Sequence, residues 1–222
     1  MDIHSGGVDL RFPHHDNELA QSEAFYDCDQ WVNYFWHTGH LHIEGRKMAR
    51  SLKNFITIRD LLEVYSGNQI RMMFLVHKWD GLMNYGENSI TEAVQKEKKF
   101  NEFFLNTRAK MRGESLAGPQ KPLEGDKEVL ALLEETKDKV HEALCNNFGT
   151  DIAINEISKL VNKSNAYIQG EARLTVLQQV VDYVEHVLEC FGLEYNKGSN
   201  AQDEYTQVLD CLLYTSPSPR DS

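Results

Sequence analysis

Residues 6–21 read GGVDLRFPHHDNELAQ, a glycine pair, two adjacent histidines and three acids within sixteen positions. The apolar start before it and the glycines suit a short strand that ends in a turn, or a backbone that approaches a ligand closely. Pro13 fits the first position of a helix. That helix is expected over residues 14–26, with Asp16 and Glu18 in its first turns, where the macrodipole favours acids. On such a helix His14 and Glu18 lie four residues apart and share one face. His15 and Asp16 point elsewhere, His15 toward an adjoining pocket.

Outward from this stretch, WVNYFWHTGHLHIEG (31–45) reads as an aromatic helix, then Gly39, then a short strand alternating Leu41 and Ile43 with His40, His42 and Glu44. From Thr57 the chain turns helical. TIRDLLEVYSG (57–67) opens on a capping threonine with Asp60 three residues on, and is expected to stop near Gly67. NQIRMMFLVHKW (68–79) is a short apolar helix. In 88–111, Ser89 and Glu92 have capping-box spacing, and Ile90, Ala93, Val94, Phe100 and Phe104 share a face. Residues 113–125, rich in glycine and proline, read as a linker. Three amphipathic helices follow at roughly 126–147, 151–168 and 171–191. The last carries Leu174, Leu177, Val180, Val181, Val184, Val187, Leu188 and Phe191 and ends at Gly192. Such stripes are core, so the second half is expected to be an all-α bundle. Residues 194–210 form a polar tail. Residues 211–222 resemble translated sequencing-adapter DNA and are excluded from fold reasoning.

Composition bounds the rest. The chain has 222 residues, 41% hydrophobic and 26% charged, enough for one or two domains. No run approaches the roughly 20 apolar residues of a membrane helix, and the first residues lack the signature of a signal peptide. Cys28, Cys145, Cys190 and Cys211 are scattered without a CxxC pair, as expected in a reducing compartment such as the cytoplasm. The net charge of −11 argues against tight nonspecific nucleic-acid binding. Locally the balance reverses. Residues 44–59 carry Arg46, Lys47, Arg50, Lys53 and Arg59 against Glu44. Within them KMARS (47–51) sets two cations three residues apart before a serine. It is either a solvated loop or a loop that neutralises nucleotide phosphates and charge developing on a leaving pyrophosphate. A Walker P-loop is absent.

One imidazole and one carboxylate at the spacing of His14 and Glu18 fit zinc, which takes four ligands in a closed site. Two are supplied here, with His4 or Cys28 as further candidates. The plain alternative is a metal-free helix N-terminus.

Taken together and in order, DIHSGGVDLRFPHHDNELAQSEA and YFWHTGHLHIEGRKMARSLKNFITIRDLL closely resemble the second half of the catalytic domain of cysteinyl-tRNA synthetase, a class I family, in its eukaryotic cytosolic form. NEFFLN and HEALCNNF extend the likeness to about residue 193. The resemblance implies an α/β plus all-α fold: the C-terminal half of a Rossmann-like catalytic domain (1–56), a helical stem-contact-like segment (57–112), the linker (113–125) and a helical tRNA-binding-type bundle (126–193). It implies ATP-dependent activation of L-cysteine to cysteinyl-adenylate and transfer to tRNA(Cys), with Mg2+. It implies zinc shared by His14, Glu18 and two cysteines. His4, Gly6, Gly7 and Asp9 match the adenosine pocket. Lys47 and Arg50 match the catalytic KMSKS loop around the triphosphate, with Ala49 and Arg50 as departures from that motif; arginine is not a neutral swap for lysine.

The family's HIGH motif and cysteine ligands belong upstream of Met1. The chain is therefore expected to be an N-terminally truncated fragment, inactive alone, marginal in its first part and able to fold from about residue 88. The competing readings are a non-catalytic interaction module and a small zinc hydrolase, which would need at least three ligands in this chain.

Overall fold

The computed structural model describes residues 1–43, 45–48, 55–113 and 123–195. Strand β1 (Ile3–Gly7) ends on the glycine pair, as its sequence requires. The chain then passes through a short turn (Val8–Leu10) and a wider five-residue turn (Arg11–His15) into helix α1 (Asp16–Tyr26). Pro13 therefore lies in the turn before α1 rather than at its first position. Phe12 there is extended (φ −144°, ψ 135°), a conformation suited to the residue before a proline. Helix α1 stops at Asp27, which is left-handed (φ 50°).

The return strand β2 (Tyr34–Thr38) pairs parallel with β1, from Ile3 opposite Tyr34 to Gly7 opposite Thr38. An aromatic helix was expected here, and the structure corrects it. Along β2 burial alternates, with Phe35 and His37 turned inward and Tyr34, Trp36 and Thr38 outward. Aromatic side chains fit a pleated, half-covered surface, and five residues ending at Gly39 suit a strand better than a helix.

A second sheet has β3 (Leu41–Ile43) at its centre. It is antiparallel to β4 (Arg46–Lys47) and parallel to β5 (Met83–Tyr85), a strand the sequence reading passed over. Gly39 lets the two sheets meet the loop before β5. A Cβ at Gly39 would lie 1.7 Å from the Gly81 carbonyl oxygen, and the Gly39 N–H donates to Trp79 O at 3.0 Å.

Helix α2 (Ile58–Leu62) is started by the expected cap, with Asp60 N–H on Thr57 Oγ1 and Thr57 N–H on the Asp60 carboxylate. It ends at Leu62, not near Gly67. Ser66 and Gln69 form a second reciprocal cap, so Gly67 opens helix α3 (Gly67–Leu75) instead of closing α2. Helix α4 (Glu87–Gly113) starts before the expected cap. Ser89 lies inside it, and its hydroxyl donates to Gly86 O and accepts from Gly86 N–H instead of pairing with Glu92.

Helices α5 (Glu124–Cys145), α6 (Thr150–Ile168) and α7 (Leu174–Cys190) match the expected stripes within a few residues. Gly192, at φ +72°, follows α7. Most of the expected linker, the later part of the tail, and residues 211–222 lie outside the described residues.

The core belongs to the helical part. Phe100, Phe103 and Phe104 of α4, Ile154, Ile157 and Leu160 of α6, and Val180, Val184 and Leu188 of α7 are buried together with Met72 and Met73 of α3. Buried Asp126 ties three helices. It accepts from Leu123 N–H, from the Tyr167 hydroxyl and from the Arg173 guanidinium (3.0 Å), while Arg173 N–H donates to the Tyr167 oxygen. Burial pushes the Asp126 carboxyl up. The bonds from Tyr167, Leu123 and Arg173 outweigh it and hold the group below the ordinary aspartate range. Tyr167 is pushed up to about 12 by burial and by the Asp126 carboxylate.

The α5–α6 turn reaches back toward the strands. Asn147 and Phe148 are both left-handed (φ 59° and 53°). The Trp79 indole N–H donates to Asn147 O, and the Asn147 amide donates to Asp80. Phe148 thereby rests on Trp36 of β2, ring centroids 4.9 Å apart, with Trp79 beside both.

Candidate functional site

The inward face of β1 and β2 meets the start of α1, and this junction gathers histidines from three elements. Glu18 sits between two of them. His4 Nε2 of β1 lies 2.6 Å from Glu18 Oε2, and His14 Nε2 lies 3.0 Å from Glu18 Oε1. The sharing of one face by His14 and Glu18 is thus observed, although His14 lies in the turn before α1 and is largely exposed. His15, only 4% exposed, points inward, with its Nδ1 3.0 Å from Nε2 of His37 on β2. Its ring is 4.3 Å from that of His4 and 6.0 Å from Phe35. A cleft of about 470 Å³, lined by Arg11, His15, Asp16, Leu19, Phe35 and His37, opens beside the cluster.

Charge follows this packing. Burial holds the His15 imidazole below its ordinary range, and neighbouring His4, His37 and His14 push the same way against the pull of Glu18. The hydrogen bond with His4 holds Glu18 below the ordinary carboxylate range, against the opposing effect of burial. The site therefore favours neutral His15 beside ionised Glu18, the forms in which both groups ligate metals.

The other sequence-derived candidates fall nearby. Gly6 and Gly7 close β1. A Cβ on Gly6 would come within 2.9 Å of His15 Cε1 and of Leu10, and one on Gly7 within 2.5 Å of Asp9 Oδ1. Packing against buried His15 thus requires glycine at position 6, whereas at Gly7 the exposed Asp9 side chain can turn away. Asp9 Oδ1 lies 3.9 Å from His40 Nδ1. Lys47 lies in β4 opposite His42. Arg50 and Ala49 lie outside the described residues. Cys28 follows α1 and was weighed as a further metal ligand. Among the described residues, the group of three metal-capable side chains that converges is His4, His15 and Glu18, without it.

His37 was missed from the sequence. Its signal was the alternation of β2, which pairs it with Phe35 on one face, and the assumption of a helix hid that period.

A donor set of one imidazole and one carboxylate 3.0 Å apart fits part of a zinc sphere, whose ligands sit about 2.0–2.2 Å from the ion.

Comparison with known proteins bears on the family of the chain. The family model for the class I (C) tRNA synthetase catalytic domain matches residues 1–95. The cytoplasmic cysteine–tRNA ligase of Dictyostelium discoideum is 44% identical over 230 residues, covering 96% of this chain and 35% of that protein. The Xenopus tropicalis ligase is 47% identical over 201 residues, covering 86% of this chain and 27% of that protein. The chain belongs to the cysteinyl-tRNA synthetase family.

It spans about a quarter to a third of the length of these relatives. Among solved structures, a ternary LeuRS–tRNA–LeuAMS complex of Agrobacterium radiobacter superposes with a TM-score of 0.70 at 19% identity, covering 86% of this chain and 25% of that one. The Mycobacterium tuberculosis methionyl-tRNA synthetase bound to methionyl-adenylate gives 0.67 at 18%, covering 85% and 41%. At these identities the likeness is one of fold: mixed α/β, mostly helical, class I synthetase-like. A small zinc hydrolase, the remote alternative, has no support from these relatives.

Proposed function

We propose that this chain supplies part of the active site of a cytoplasmic cysteine–tRNA ligase, which activates L-cysteine with ATP and Mg2+ and transfers it to tRNA(Cys). The observation that carries the reading is Glu18 held between His4 and His14 at the foot of a parallel βαβ unit, in a chain 44–47% identical to such ligases. Residues 1–56 act as the second half of a Rossmann-like catalytic domain. Residues 57–112 connect it to a helical bundle (126–193) that meets tRNA, with 113–125 as the linker.

In this reading His14 and Glu18 hold zinc. The ion would favour a thiolate over a hydroxyl, because zinc is thiophilic. Gly6 and Gly7 let the backbone approach adenosine, Asp9 accepts from ribose hydroxyls, and His4 lines the pocket while fixing Glu18. Lys47 and Arg50, at the positions of the family's KMSKS loop, supply the cations that would stabilise charge on the departing pyrophosphate.

The test is a chimera in which this chain replaces the matching segment of the Dictyostelium ligase. Cysteine-dependent exchange of pyrophosphate into ATP is expected, and Glu18→Gln, which alters a direct ligand, should lower it by more than the roughly tenfold lost when only an outer supporting group is removed. A chimera that melts cooperatively yet shows no exchange would overturn the reading.

A further inference from the structure

The hairpin that leads into KMARS is held from outside its own sequence. Strands β3 and β4 pair Ile43 with Arg46 across a two-residue turn, in which Gly45 is left-handed (φ +76°). The Gly45 N–H lies in the turn, beyond the β3–β4 ladder, so it needs an acceptor from elsewhere or from water. It donates to the side-chain oxygen of Asn84 on β5, at 2.9 Å and 39 residues further along the chain. We infer that Asn84 is a positioning residue for the activation step: through Gly45 it fixes the hairpin, and with it the backbone of Lys47. The inference rests on the reading of KMARS as the loop that serves the triphosphate.

The place of Asn84 in its strand supports this. Asparagine is depleted from strands, yet Asn84 is the middle residue of the three-residue β5, in register with His42 of β3. Strand β5 flanks β3 on the side away from β4, and the Asn84 side chain reaches past the end of β3 to the turn.

Its neighbours anchor it. Met83 is buried in the core of the helical part, and Tyr85 packs against that core, while Asn84 faces outward. Helix α4 follows closely at Glu87. The turn is thereby tied to the best-packed part of the protein.

The path from the turn to the chemistry is short. Lys47 is the second residue after Gly45, and the Met48 N–H donates to Leu41 O at 3.1 Å, so the chain keeps the hairpin's register as far as Met48. A cation that stabilises charge on a departing pyrophosphate acts through its position, and a displacement of about 1 Å can cost two orders of magnitude in rate.

The test compares Asn84→Leu, similar in size but without the acceptor, with Asn84→Asp, which keeps it. Asn84 is exposed, so both substitutions leave the core alone. In the full 222-residue chain, the Gly45 amide proton should exchange about fivefold faster in Asn84→Leu, the worth of one ordinary hydrogen bond, and near the wild-type rate in Asn84→Asp. In the Dictyostelium chimera, Asn84→Leu should lower kcat for cysteine-dependent pyrophosphate exchange about fivefold or more with KM for cysteine unchanged, and Asn84→Asp should restore most of it. Transfer to tRNA from preformed cysteinyl-adenylate, in which no pyrophosphate departs, should be unaffected. Unchanged exchange of the Gly45 amide, unchanged kcat, or equal loss in both steps would each overturn the inference, and an active wild-type chimera would then leave the ligase reading standing. A folded wild-type chimera without pyrophosphate exchange would overturn that reading and this inference together.

Discussion

Gly6 shows how far a single residue decides the site. Its missing side chain is the space that His15 fills, so Gly6→Ala should push the imidazole off His37 and destabilise the first βαβ unit by about 1–3 kcal/mol, the usual cost of overpacking. A thermal melt with imidazole proton shifts would check both effects. Gly39→Ala should cost more, because its Cβ meets backbone, the Gly81 carbonyl, which cannot rotate away. The His14–Glu18 pair was legible because helical spacing alone puts the two on one face. The partnership of His15 with His37 was not, because it depends on pairing two strands whose separation in sequence carries no local signal. Gly6 was legible as a special position, but its physical reason was a neighbouring histidine inside the protein.

At the level of elements, the amphipathic helices were the easiest to read, since α6 and α7 bury the same apolar stripes that their sequences display. Reading failed where two signals compete over a few residues. The aromatic run of β2 looks helical until its alternate burial is seen, and Ser66 starts a helix where Gly67 suggested a stop.

The Asp126 junction gives a prediction at this scale. Asp126→Ala leaves Tyr167 and Arg173 without their acceptor and should cost about 3 kcal/mol, toward the lower end of the range for breaking a buried pair because Arg173 is partly exposed. Its pH dependence has a definite sign. The carboxyl of Asp126 is held below 3.8 in the folded protein, so its contribution is fully present above that value and lost as pH falls through the lowered one. In acid melts the gap between wild type and Asp126→Asn should therefore be constant above about pH 5 and shrink below about pH 4.

Across the whole molecule, cohesion is uneven. The continuous core runs from Met72 to Tyr195, whereas residues 1–48 contribute Val32 and His15 as their fully buried side chains among the described residues. Amide exchange should accordingly be slowest in α4, α6 and α7 and fastest in β1, α1 and β2, with the histidine cluster in the less protected part. Equal protection in both parts would contradict this division.

The strand β2 joins these unequal parts in a particular way. Adjacent residues on it look in opposite directions: His37 toward the histidine cluster, Trp36 toward Phe148 at the α5–α6 turn. Because both side chains hang from one stretch of backbone paired with β1, a shift of the turn is expected to reach the imidazole. Phe148→Ala, outside the cluster, should move the His15 and His37 ring resonances, and unchanged resonances would show that β2 does not carry the position of the turn to the imidazoles.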